Sequence, residues 1–112
     1  MIRVQLDTRG DKKAFALTVK GHAGLSQAGQ DIVCAAASII TYTLADRVFT
    51  MWKEDKLQDR PVVRLSSGDA AILCRPREEH WQEALYTFAT ASAGYALLSK
   101  NYPEYVRYKK LD

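Results

Sequence analysis

The sequence predicts an α+β fold of two layers, an antiparallel or mixed sheet built from two hairpins with two long helices on one face. Three observations carry this. Two pairs of segments alternate apolar and polar residues around turn-forming residues, and two longer segments place apolar residues at helical spacing. The segments also follow one another as β-β-α-β-β-α(-β), with the last strand short. At 112 residues, 47% apolar and 26% charged, the chain reads as one domain over 1–112, and collagen-like or disordered readings fall away. A net charge of +3 is too small to argue for nucleic acid unless the cations cluster, so no direct nucleic-acid partner is expected.

Ile2, Val4 and Leu6 alternate with Arg3, Gln5 and Asp7, the period of a half-buried strand. Arg9-Gly10-Asp11-Lys12 carries turn chemistry, and Phe15, Leu17 and Val19 resume the alternation, so residues 2–20 form an antiparallel hairpin. Residues 21–30 have no periodicity and hold three of the six glycines, Gly21, Gly24 and Gly29. That density marks backbone that needs unusual dihedrals or approaches something closely. Asp31, a favoured N-cap, opens a helix that runs to about Trp52. Ile32, Cys34-Ala35-Ala36-Ala37, Ile39 and Ile40 are apolar nearly all round its first turns. That half is therefore expected to be buried as a central helix, with the Asp46-Arg47 end emerging.

Residues 53–61 make a polar connection. Val62-Val63-Arg64-Leu65 and Ala70-Ala71-Ile72-Leu73-Cys74 then flank Ser66-Ser67-Gly68-Asp69 as a second hairpin. From about Glu78 a second helix sets Trp81, Leu85, Phe88, Ser92, Tyr95 and Leu98 near one face. Gly94 inside it predicts close packing, since glycine there costs about 1 kcal/mol relative to alanine. Pro103 ends the helix, and Tyr105-Val106-Arg107-Tyr108 has the alternation of a final short strand.

Two cysteines forty residues apart make no disulfide framework, and a reducing cytoplasm is the expected compartment. The first residues alternate instead of forming the apolar block of a signal peptide. The longest charge-free apolar stretch, residues 32–45, falls short of a bilayer span, so no membrane partner is expected.

The chemically informative pair is His22, inside the glycine-rich segment, and Cys34, in the first turn of the helix behind it. Free backbone N–H groups and the positive end of the helix dipole favour an anion at that turn, and an imidazolium would push the same way. A thiol with a pKa near 8.5 is only a few per cent thiolate at neutral pH, so a lowered pKa would make it a nucleophile. The same N–H groups, that of Cys34 included, are candidate donors to an oxyanion. The plainer alternative stays open: a cysteine followed by three alanines in an apolar helix serves as a small buried hydrophobe, and a loop histidine is solvated. A separation of twelve residues does not decide between them.

Gly21-His22-Ala23-Gly24 followed by Gly29-Gln30-Asp31-Ile32-Val33-Cys34-Ala35-Ala36-Ala37-Ser38 closely resembles the signature of the bacterial ribosomal-processing cysteine protease family. The resemblance extends over essentially the whole chain, including the ending Asn101-Tyr102-Pro103-Glu104-Tyr105. It implies a cysteine endopeptidase that removes the N-terminal extension of a large-subunit ribosomal protein precursor. Cys34 then falls on the family's catalytic cysteine and His22 on its histidine. The resemblance also implies a homodimer and a glycine segment that moves when substrate binds, with Gly21, Gly24 and Gly29 in that segment. No cofactor and no metal are implied.

Asp31 is a candidate to orient His22, set against its role as the N-cap, and Ser38, one turn beyond Cys34, is a candidate to hydrogen-bond near the sulfur. Back-bonding to the Cys34 carbonyl is the alternative for Ser38. Cys74 reads as inert core and His80 as a surface residue. Two Cys and two His make a zinc ligand count, yet no pair has short ligand spacing. Tyr102, Tyr105 and Tyr108 with Arg107, Lys109 and Lys110 mix aromatics with cations as an RNA surface does, and edge-strand protection by lysine explains the same residues. A non-catalytic ribosome-associated binding module, or a related Cys-His hydrolase with another substrate, are the competing functions.

Overall fold

The computed structural model describes residues 1–9, 13–24 and 31–111. Its elements are β1 (Ile2–Asp7), β2 (Phe15–Lys20), α1 (Ile32–Lys53), β3 (Val62–Ser66), β4 (Asp69–Cys74), a 3-10 turn (Glu78–His80), α2 (Trp81–Asn101) and β5 (Val106–Leu111). Residues 10–12 of the predicted first turn lie outside the described residues, as does Gly29.

The two predicted hairpins join through β2 and β4 into one sheet of order β3-β4-β2-β1-β5. Every pairing is antiparallel except β1 with β5, so of the two expected kinds the sheet is the mixed one. β2 and β3 therefore run parallel with β4 between them, and β4 and β5 run parallel with β2 and β1 between them. The two crossings step in opposite directions from oppositely oriented strands. Right-handed crossover in each case then puts α1 and α2 on the same face. Burial agrees: Ile2, Val4, Leu6, Phe15, Leu17, Ile72, Cys74 and Val106 share the covered face, while Arg3, Gln5, Lys20, Arg64 and Arg107 face away.

Phe15 joins sheet to helix, its ring centroid 4.4 Å from Trp81 and 5.4 Å from Phe88. Between the helices, the Tyr95 and Thr41 hydroxyls lie 2.6 Å apart in a buried hydrogen bond, and Thr41 also donates to the Ala37 carbonyl. Gly94 behaves as its position predicts: a β-carbon there would stand 3.1 Å from Ile40 Cδ1, so the missing side chain lets the helices approach.

The first half of α1 departs from expectation. Only Val33, Ala37, Thr41, Leu44, Ala45, Val48 and Met51 form its buried stripe, whereas Ile32 is 61% exposed, Ile39 62% and Tyr42 53%. With sheet and α2 on one side only, the helix has a second side that the described residues do not cover. By length and composition alone α1 is long and apolar enough to cross a bilayer; here its buried stripe packs in the core. The last strand is also longer than predicted. It lies at an edge, where Tyr108 turns inward to the Ser92 hydroxyl while Arg107 and Lys109 point out.

Candidate active site

Cys34 is placed by the cap that starts its helix. Asp31, 7% exposed, accepts from the Val33 and Cys34 N–H groups through Oδ1, each at 3.0 Å. Two of the free donors at a helix start are thereby satisfied, and the third residue of the helix is fixed at the mouth of a cleft. His22 comes from the other side, two residues beyond the end of β2. Gly21, with φ +92°, makes the bend, and a β-carbon there would stand 2.2 Å from the Met1 carbonyl oxygen. The α-ammonium of Met1 donates to the His22 carbonyl. Gly24 also has positive φ and is exposed, with open space where a β-carbon would be.

His22 and Cys34 line one cleft of about 230 Å³. Its floor and walls come from α1 (Ala37, Ser38, Thr41, Tyr42), from the ends of β1 and β2, and from the end of β3 with the β3–β4 turn (Leu65, Ser66, Ser67, Gly68). The Ala23 N–H, next to His22 in the chain, donates to Cys34 Sγ at 3.4 Å. The segment that carries the imidazole thus touches the sulfur through its backbone. Among the described residues no hydrogen bond joins the His22 ring to Cys34.

The electrostatics differ from the sequence expectation. The Cys34 thiol is pushed up, first by burial, while the Ala23 N–H draws it down and the hydrogen bond and charge of Asp31 raise it. Burial leads the reversal, and the cap adds to it. A carboxylate that accepts the helix-start N–H groups neutralises the positive end of the dipole and puts a negative charge beside the sulfur. It also occupies the Cys34 N–H that was expected to serve an oxyanion. Asp31→Asn keeps a capping oxygen but removes the charge, so the pH midpoint of Cys34 alkylation is expected to move down. An unmoved midpoint in an iodoacetamide pH series would deny Asp31 this influence.

The capping role of Asp31 is thus formed. Ser38 lines the cleft but makes neither of the two hydrogen bonds considered for it among the described residues. Cys74 is fully buried and its thiol is pushed up to about 12, chiefly by burial. Among the described residues no three His, Cys, Asp or Glu side chains converge as metal ligands.

The β3–β4 turn is the part of the cleft that sequence reading missed. Ser66-Ser67-Gly68-Asp69 carries only ordinary turn chemistry. What brings it to His22 is the β2–β4 register, with Lys20 opposite Asp69, and hairpin order cannot be read from one hairpin's residues. The Lys20 ammonium, 2.5 Å from the Asp69 carboxylate, and Arg64, at 3.1 Å, hold that carboxyl below its ordinary range.

The family model of the cysteine protease Prp matches residues 1–107. No curated protein matches the chain. Among solved structures, the ribosomal processing protease Prp from S. aureus, in complex with a covalently linked product peptide, superposes with a TM-score of 0.74 at 22% identity. That match covers 98% of this chain and 99% of the other. The same S. aureus protease with a substrate peptide gives 0.69 at 21% identity over 98% and 99% of the two chains. A Streptococcus mutans protein gives 0.68 at 23% identity over 99% and 94%.

Proposed function

Because the chain belongs to the cysteine protease Prp family, and so is a cysteine peptidase, we propose that Cys34 is its nucleophile and His22 its general base. Its substrate, in this reading, is the N-terminal extension of a large-subunit ribosomal protein precursor. The observation that carries it is the cleft itself: the thiol at the start of α1 and the imidazole after β2 line the same opening, with a main-chain donor on the sulfur. The S. aureus protease holds product and substrate peptides, which supports a peptide in this cleft.

The raised thiol favours one of two routes. Cys34 rests protonated, and His22 takes the proton as the sulfur attacks the scissile carbonyl, so no standing thiolate–imidazolium pair is needed. The Ala23 N–H stabilises the charge as it forms on sulfur. The tetrahedral intermediate collapses as His22 returns the proton to the leaving amine. Water, deprotonated by His22, then hydrolyses the thioester and frees the thiol. Mass spectrometry of the extended precursor after incubation with the enzyme tests this. Removal of the extension as one fragment is expected, and an intact precursor would refute the substrate assignment.

The protein works in the cytoplasm as a homodimer in this reading. Ile39 on α1 and Leu97 on α2 are exposed beside the groove between the helices, on the side away from the sheet, and a second copy would cover them. Sedimentation is expected to show a dimer for the wild type and a monomer for Ile39→Asp. An unchanged mass for the variant would move the interface elsewhere.

A further inference from the structure

Two contacts tie His22 to the β3–β4 turn. The Gly21 N–H donates to the Gly68 carbonyl at 2.9 Å, which fixes the backbone just before His22. The imidazole itself lies on Gly68. A β-carbon at that position would stand 2.5 Å from Nε2, 3.0 Å from Cε1 and 3.1 Å from Cδ2. Gly68 has φ +71°, so its conformation suits glycine as well as its neighbour does. The Lys20 contact to Asp69 joins the turn to β2 and the Arg64 contact closes it from β3, so the seat is carried by the sheet and not by the segment that leads to α1.

We propose that Gly68 is a positioning residue for His22: the space left by its absent side chain, together with its carbonyl, seats the imidazole on the wall of the cleft. The proposal rests on His22 being the base. The ring is the free end of an exposed side chain, so a methyl group at position 68 displaces the ring before it displaces the turn. Proton transfer requires hydrogen-bond reach, and a misplacement of about 1 Å can cost about 10²-fold in rate.

The test measures peptide cleavage and the pH profile of Cys34 alkylation in Gly68→Ala and in Gly68→Asn. The asparagine variant tolerates positive φ yet still carries a β-carbon. Both are expected to lose about tenfold or more in kcat while KM changes far less, and their alkylation profiles should approach that of His22→Ala. Adding Gly68→Ala to His22→Ala should cost no further alkylation rate. In the wild-type protein an NOE between the His22 ring and the Gly68 α-protons is expected, independent of how the variants fold. Wild-type kcat in both Gly68 variants while His22→Ala is inactive, or a folded wild type without the NOE, overturns the seat alone. Wild-type cleavage by His22→Ala overturns the base assignment beneath it.

Discussion

Cys34→Ala is expected to fold and to cleave nothing measurable. The side chain is half-buried and touches the Ala23 N–H and the Asp31 carboxylate, so truncation removes weak contacts. A loss of about 1 kcal/mol is the scale for such a bond, which shifts the melting temperature of a domain this size by only a few degrees. Catalysis is another matter. No neighbouring group can replace the sulfur that forms the acyl bond, since Cys74 is sealed in the core and Ser38 has no base described on it. Removal of a nucleophile costs about 10⁴-fold or more in kcat. Thermal unfolding and peptide cleavage on one preparation check both halves. Cleavage retained within tenfold would remove Cys34 from the reaction.

His22→Ala is expected to lose about 10²- to 10⁴-fold in kcat, the range of a positioned general base. Its residual activity should be recoverable with pH. Without the base, the rate follows the fraction of Cys34 already ionised, and that thiol lies above its ordinary value because of burial and Asp31. The variant is therefore slow at neutral pH and gains rate as pH rises toward the thiol midpoint. A wild-type pH profile with only a reduced amplitude would assign His22 a different task. Stability should hardly change, since the ring is exposed and leans on Gly68 without a hydrogen bond among the described residues.

Most of the fold was legible because its cause is local. Ile2-Arg3-Val4-Gln5-Leu6 alternates because one sheet face is buried, and Asp31 caps because its side chain reaches N–H groups two and three residues on. Gly94 was legible for a similar reason, as a helix keeps glycine where a neighbour comes close. What lay beyond the sequence depends on partners distant along the chain. The apolar first turns of α1 suggested burial on all sides, yet apolar composition does not say whether this chain or another molecule covers Ile32 and Ile39. The raised Cys34 thiol lay beyond the sequence because it comes first from burial, which needs the fold, and then from the carboxylate that caps the helix start. His22 and Cys34 were found as residues. Their cleft, half built by the β3–β4 turn, needed the order of strands.

One sulfur in the unaltered protein decides the reaction. The enzyme can be alkylated with iodoacetamide to graded extents, its peptides mapped by mass spectrometry, and cleavage of the extended precursor measured on each sample. A single carbamidomethyl group is expected on the peptide holding Cys34 and none on that holding Cys74, with activity falling in proportion to it. Undiminished cleavage by protein fully alkylated at Cys34 would contradict this.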